Sequence, residues 1–483
     1  MKIIFEKFWI LFLLFIFAGG LMARLYKVDN PVADWHSWRQ GDTASVTRIY
    51  LERGVDLLHP RYHDLSQLQS GLPNPEGWRF VEFPIYNLLH VYLVNTFPQY
   101  SLEIWGRLLS IFFSLISTGL IFLIGRRFLG TIGGLLSAFF FAFLPYNIFF
   151  SRVILPEPAA VTFALTSLYL FSLWFDTNRK SWLFLAGFAF SLGLLIKPYV
   201  IFYSVPMFWL AIKKSDGDMK KLITNFDLWI FALIALLPVG LWRAWISQFP
   251  EGIPYYKWAF NFMGIRFRPA FWRWIFGERL GDLILGVWGL FPFLAGVLAR
   301  GLKSETWFVH SFILGMFLYV TVVAAANVRH DYYQTLIVPA VVLMLARGVI
   351  YLWNTKELAQ PLTRFVTIFS VFLALYLSFN DIKPFYQINH PEIIRAGTAL
   401  DKIAAKDALV VAPYNGDTAF LYQTKRSGWP IQQLPIEDLV KLGADYYVSV
   451  DINDPGTFDA LKKFEVALQE DDFIIIDLSK KRM

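Results

Sequence analysis

Apolar windows of about 17–20 residues recur along most of this 483-residue chain, each long enough to cross a hydrocarbon core of about 30 Å as helix. Inside lipid a backbone must satisfy its own N–H and C=O groups, so windows of this length read as transmembrane helices. We read spans near 8–25, 103–125, 132–150, 158–175, 181–196, 199–212, 228–246, 283–299, 307–327, 333–352 and 365–380, about eleven in all. Composition agrees. Hydrophobic residues make up 56%, charged residues only 17%, and mean hydropathy is +0.47, whereas soluble chains carry nearer a quarter charged residues. The expected fold class is mainly α, a polytopic membrane protein, with a small extracytoplasmic α/β domain at the C-terminus.

The net charge of +7 invites a nucleic-acid reading, but its distribution argues against one. Basic residues sit in the short loops Arg126–Arg127, Arg179–Lys180, Lys213–Lys214 with Lys220–Lys221, Arg300 with Lys303, and Lys356 with Arg364, and Lys2 and Lys7 precede the first span. By the positive-inside rule these loops and the N-terminus are cytoplasmic. The N-terminal run lacks a clear small-x-small cleavage site and reads as an uncleaved first span rather than a signal peptide. With no cysteine, disulfides, thiolate metal sites and a cysteine nucleophile are excluded.

The predicted outer loops differ in kind. The first, about 26–102, is long and contains FPIYNLLHVYLVNTF (83–97), short for a span and better suited to a helix lying along the interface. The loop 247–282 is rich in Trp, Tyr and Arg. Residues 390–483 read as helix (PEIIRAGTALDKIAAK), strand (ALVVAPY), strand (DYYVSV), helix (TFDALKKF) and strand (FIIIDL). The expected division is a transmembrane domain over 1–385 and an α/β domain over 390–483. No internal repeat and no low-complexity segment is evident.

Four polar constellations fall at the predicted outer ends of spans: Arg39 to Asp42, Arg152 to Glu157 in SRVILPEP, Lys197 in LLIKPY, and Arg329 to Tyr333 in NVRHDYY. Ionisable groups at membrane depth are costly unless paired or wet, so a cluster of them suggests function. Arg39, Arg152, Lys197, Arg266, Arg268 and Arg329 also run against the inside bias, as an anionic ligand on the outer face would explain. Blander readings stand beside this one. Arg152 and Arg329 can snorkel to lipid phosphates, Lys197 can cap a helix ending at Pro198, and Glu157 can stabilise a helix N-terminus. His330 alone reads as a structural hydrogen-bonder, and most Trp and Tyr as interfacial belt. None of these explains the shared sidedness. Asp42 is placed at the N-cap or first turn of an amphipathic helix, where it serves either as a cap or as a catalytic base.

HSWRQGDTA in the first loop, VEFPIYNLL after it, SRVILPEPAAV, LGLLIKP and HDYYQTLIVPA occur in order over about residues 8–350. Together they resemble the polyprenyl-phosphate-sugar-dependent membrane glycosyltransferases of the C-type fold, among them the protein O-mannosyltransferases and the lipid A aminoarabinose transferases. The resemblance implies a plasma-membrane enzyme that moves a sugar from a polyprenyl-phosphate donor to a hydroxyl of a glycan, lipid or protein acceptor outside the cytoplasm, with inversion. It implies Asp42 as general base, cations Arg39, Arg152, Lys197, Arg266 and Arg268 for the donor phosphate, and Glu157, Tyr332 and Tyr333 against substrate. Glu82 and His330 would hold a divalent metal. The chain departs from the pattern in three places. Phe83 stands where relatives often have lysine, Thr43 follows Asp42 where protein mannosyltransferases have a second acid, and the tryptophan-tryptophan-aspartate motif is missing. A protein acceptor and en bloc transfer to asparagine are therefore disfavoured. A flippase of lipid-linked sugars would need ionisable residues at mid-span, which are nearly absent, and an inactive scaffold subunit would not need Asp42.

Overall fold

The computed structural model describes residues 2–299 and 307–482. Arg300 and Lys303 lie outside the described residues, as do the side chains of Lys2 and Lys7. The chain divides into two compact units, the first made of Met1–Val28, Leu108–Arg243 and Tyr256–Pro384, the second of Asp29–Arg107, Ala244–Tyr255 and Phe385–Met483. The long first loop thus folds with the C-terminal region rather than with the helices that flank it in sequence.

The first unit is helical, and the chain is a multi-pass membrane protein. Among the described residues, five helices are long and apolar enough to cross a bilayer: Phe8–Leu25, Leu102–Phe143, Glu157–Thr177, Phe226–Ile246 and Gln360–Tyr386, with shorter apolar helices at Lys180–Ile196, Trp307–Val322 and Val338–Asn354. The expected spans 103–125 and 132–150 correspond to two helical segments within Leu102–Phe143 that turn back on each other at Gly130, followed by the short helix Pro145–Phe150. The Gly130 φ of 80° lies in the left-handed region that glycine enters without penalty, and a Cβ on Gly134 would lie 2.7 Å from the Phe122 carbonyl oxygen. The expected span at 199–212 is a 3-10 turn, Pro198–Tyr203, followed by Ser204–Lys214. That at 283–299 is the end of a π-helix, Arg273–Ile284, followed by Leu290–Leu298. Residues 198–214 are thus helical throughout, whereas Leu290–Leu298, at about 1.5 Å per residue, is shorter than a core of about 30 Å. Where about eleven spans are expected, the described residues hold five long apolar helices and several shorter ones.

Two local devices tighten this unit. Helices Glu157–Thr177 and Lys180–Ile196 make a hairpin through Asn178 at φ 56°, with the Ser167 hydroxyl donating to the Ala186 carbonyl at 2.7 Å. Helices Leu290–Leu298 and Val338–Asn354 approach so closely that a Cβ on Gly348 would lie 1.7 Å from the Pro292 carbonyl oxygen. Beside that crossing Arg347 donates to the Gly296 and Ala299 carbonyls, the latter at 2.6 Å.

The second unit is built on a five-stranded mixed sheet: β1 (Leu409–Val411), β2 (Gly428–Trp429), β3 (Ala444–Ser449), β4 (Phe464–Gln469) and β5 (Ile474–Lys481), in the order β2-β1-β3-β5-β4. β1 runs parallel to β2 and β3, and β5 antiparallel to β3 and β4. Alternate residues face opposite sides of a strand, and both sides are covered. Val410, Val448 and Ile475 pack with helices Glu392–Ile403 and Thr418–Thr424. Val411, Tyr447, Ile474 and Ile476 pack with Ile436–Lys441 and Pro455–Lys463. Helix Thr418–Thr424, β2, helix Ile436–Lys441 and β4 escape the sequence reading because each is short and carries little periodic signal.

The first loop is fastened onto this sheet. Its helix Ser37–Arg53 packs against Thr418–Thr424. Residues 63–65 extend the β2 edge, Gly428 N–H donating to the His63 carbonyl at 2.9 Å and Leu65 N–H to the Gly428 carbonyl at 2.8 Å. A second bridge, Arg61 with Trp78, folds Arg79 back beside Tyr62. Residues 83–97 form helix Ile85–Thr96, which buries Tyr86, Asn87 and His90 and leaves Leu88, Leu89 and Tyr92 exposed.

Candidate active site

Asp42 lies in the second turn of helix Ser37–Arg53, not at its N-cap, which is His36 in a left-handed conformation. Nor is that helix amphipathic, because Arg39 to Thr47 are buried without interruption. Flanked by helices Ile85–Thr96 and Thr418–Thr424, it has no face left for solvent. Its polar groups are met internally. Asn87 donates to the Thr43 carbonyl at 2.7 Å and to the Thr47 hydroxyl at 3.0 Å, and the Thr47 hydroxyl meets His90 Nδ1 at 3.0 Å.

Two crossed ion pairs fix the region around Asp42. Arg39 and Asp42 are three apart on the helix, and so share a face; Arg79 and Glu82 are three apart on the returning segment. Arg39 pairs with Glu82, and Arg79 Nη2 donates to Asp42 Oδ2 at 2.6 Å. The other Asp42 oxygen accepts from the Thr418 hydroxyl at 2.7 Å. Asp42 is 1% exposed. A buried carboxylate needs a fixed cation and hydrogen bonds to stay ionised, and Arg79 and Thr418 supply both. Thr418 itself is set by the cap of its helix, Asp417, which accepts from Ala419 N–H at 2.7 Å. Burial, with a smaller push from the charge of Asp42, lifts the Asp417 carboxyl to about 6.

Gly41, Asp42, Ser45, Tyr62, His63, Asp64, Thr418 and Tyr422 line a small recess. The Tyr62 hydroxyl donates to Asp64 at 3.2 Å, and the Arg79 guanidinium lies over the Tyr62 ring, 4.8 Å from its centroid. Burial, aided by the charge of Asp42, pushes the Asp64 carboxyl up to about 6 against the hydrogen bonds from Ser66. The His63 ring stacks on Tyr422, and its Nδ1 is buried with no hydrogen-bond partner. Burial first, then the charges of Arg48, Arg53 and Arg426, hold the imidazole well below its ordinary value and so keep it neutral at physiological pH. Tyr422 is anchored in turn: its hydroxyl donates to Glu103 at 2.6 Å, and Arg48 lies 4.1 Å from its ring centroid.

The remaining sequence-predicted residues belong to the first unit. Arg152 is fully buried and donates to the Tyr26 and Lys27 carbonyls at 3.1 and 2.6 Å, so it does not snorkel. Lys197 is the C-cap residue of helix Lys180–Ile196, its backbone N–H donating to the Gly193 carbonyl. Its ammonium donates to Glu157 at 2.6 Å and lies 4.8 Å from the Tyr333 ring centroid, with Tyr332 alongside. Arg266 donates to the Val322 carbonyl and Arg268 to that of Met263, while Arg329 lies over Trp258 and Phe262. His330 lies among the rings of Trp258, Tyr332 and Tyr333. The residues do not fit the expected metal: Glu82 is engaged by Arg39, and among the described residues no group of three or more His, Asp or Glu is arranged to hold one. We therefore draw no step through a metal.

Arg79, Tyr62, His63, Asp64 and Thr418 are the site residues that sequence reasoning missed. Arg79 carried a usable signal, standing three residues before Glu82 and just ahead of the singled-out VEFPIYNLL. Thr418 carried none, since 376 positions separate it from Asp42.

The described residues form a helical unit with long apolar helices and an α/β unit that carries a buried acid, Asp42. The comparisons agree, and the resemblance read from the motifs is shown at the level of fold. Residues 100–242 match the family model described as dolichyl-phosphate-mannose-protein mannosyltransferase. Among solved structures the chain is similar to ArnT from Cupriavidus metallidurans bound to undecaprenyl phosphate, with a TM-score of 0.67 at 12% identity, covering 97% of this chain and 98% of that one. It is also similar to the Archaeoglobus fulgidus oligosaccharyltransferase in complex with Zn and sulfate (TM-score 0.56, 12% identity, 93% and 69% covered). A third likeness is to the mycobacterial arabinofuranosyltransferase AftD (TM-score 0.56, 13% identity, 96% and 41% covered). No curated protein matches.

Proposed function

We propose that this chain is an integral-membrane glycosyltransferase that moves a sugar from a polyprenyl-phosphate donor to an acceptor hydroxyl on the extracytoplasmic side. The observation that carries the reading is the correspondence of nearly the whole chain to a fold solved with undecaprenyl phosphate bound. Asp42 gives that fold a suitable base: buried, and held by Arg79 and Thr418. In a single displacement the acceptor oxygen bonds to the anomeric carbon as the bond from that carbon to the phosphate oxygen breaks. The acceptor proton passes to Asp42, and the bonding pair leaves on the polyprenyl phosphate. One such step inverts the anomeric configuration. Charge growing on the leaving phosphate calls for preorganised cations. Arg39, Arg152, Lys197, Arg266 and Arg268 are proposed for that part, with Glu157, Tyr332 and Tyr333 against substrate. The basic short loops support a cytoplasmic N-terminus and an extracytoplasmic C-terminal region.

Asp42→Asn tests the reading. Membranes carrying the variant at wild-type abundance and supplied with polyprenyl-phosphate sugars should show transfer reduced at least about a hundredfold, as loss of a general base requires. Near-normal transfer would remove Asp42 from the mechanism.

A further inference from the structure

The recess beside Asp42 has the chemistry of a site for one neutral hydroxyl. Each Asp42 oxygen already accepts one hydrogen bond, from Arg79 or from Thr418, and a carboxylate oxygen has a second acceptor position. The imidazole of His63 lines the same recess. It is 3% exposed, and its Nδ1 has no hydrogen-bond partner. A buried polar atom left unmet is costly, so an orphan on a residue that lines a recess calls for a ligand. A hydroxyl satisfies both walls at once, its O–H donating to the carboxylate and its oxygen accepting from the imidazole N–H. Two carboxylates, Asp42 and Asp64, line the recess and repel a phosphate or carboxylate there. Asp64 also gives a second hydroxyl something to bond to, which adjacent hydroxyls on a sugar can use and a lone serine or threonine cannot.

We propose that this recess is the acceptor subsite, that His63 positions the attacking hydroxyl against Asp42, and that it takes a hydroxyl of an uncharged carbohydrate. Thr418 and Tyr422 complete its wall, so the C-terminal region forms part of acceptor recognition. The inference rests on the transferase reading. During transfer the hydroxyl proton moves to Asp42 and the new carbon–oxygen bond forms, while the His63 N–H stays with His63 as a hydrogen-bond donor.

The test uses the full-length protein in membrane vesicles, a radiolabelled polyprenyl-phosphate sugar, and envelope material from cells lacking the protein, titrated as acceptor. His63→Phe and Thr418→Val should raise the acceptor concentration for half-maximal transfer about tenfold or more, the loss of one buried hydrogen bond. His63→Gln and Thr418→Ser should restore it to within about threefold. Stabilisation by undecaprenyl phosphate, read by thermal unfolding, should persist in all four; should His63→Phe lose it through misfolding, His63→Gln and Thr418→Val decide. Unchanged half-saturation in His63→Phe and Thr418→Val, with Asp42→Asn inactive, overturns the subsite and leaves the transferase reading standing. Label released by protease overturns the carbohydrate acceptor. Full transfer by Asp42→Asn removes Asp42 from the mechanism and the subsite with it, whereas no transfer by the wild type overturns the transferase reading instead.

Discussion

Asp42 is held by groups that come from three separate stretches of chain, and its behaviour follows from them. Arg79 balances its charge, Thr418 orients it, and Arg39, the neighbour a sequence reader assigns to phosphate, is engaged by Glu82. Asp64, across the recess, makes a prediction whose sign is fixed by linkage. Its folded-state value of about 6 lies above the ordinary 3.8, so between those values the folded protein holds the proton and the unfolded chain does not. Stability from this group is therefore intact below about pH 4 and declines as pH rises through about 6. Asp64→Asn removes the decline. The variant should match the wild type near pH 4 and exceed it by on the order of 2–3 kcal/mol at pH 7, since about two units correspond to that much. Unfolding midpoints measured from pH 4 to 7 decide it, and a flat difference would mean that Asp64 is not desolvated.

At the scale of elements, the membrane unit depends on close backbone approach more than on side-chain bulk. Lipid offers helices no hydrophobic gain over one another, so small residues at a crossing carry much of their association. Gly348 is the sharpest instance, because its missing Cβ leaves room for the backbone of Pro292. A backbone obstacle cannot rotate away, so Gly348→Ala should cost about 2 kcal/mol or more, the upper part of the overpacking range. Lowered thermal midpoints in detergent would show it, and Gly348→Leu should abolish accumulation of folded protein. An alanine variant of wild-type stability would mean that the two helices stand further apart than described.

For the whole molecule, the first loop and the C-terminal region form one folding unit although more than 300 positions separate them, as the bond between Thr418 and Asp42 shows. A chain ending at Pro384 loses the Gly428 edge that pairs with residues 63–65, the Tyr422 ring that stacks on His63, and the Thr418 hydroxyl. Its apolar helices keep their own contacts and should still insert. The first loop should become protease-sensitive between about residues 55 and 80, and transfer should be lost. Limited proteolysis of sealed vesicles reads the first outcome, and a loop as resistant as in the full chain would contradict the shared unit.

Much of this was legible in the sequence for a plain reason. Hydropathy is a sum over neighbours in the chain, so the apolar helices, the long polar loop carrying Asp42, and the α/β character of the tail could all be read locally. The C-type fold came through as well, since its motifs keep their order along the chain. Spacing alone did not show that the helix expected over 199–212 opens as a 3-10 turn, or that the one expected over 283–299 is interrupted before Leu290–Leu298. Only the tertiary structure decided which groups meet. It paired Asp42 with Arg79 rather than Arg39, set Thr418 on the same carboxylate, and left a buried nitrogen of His63, which lines the recess, without a partner. Such partnerships depend on where the chain returns in space, and an isolated arginine or threonine carries no mark of the partner it will find.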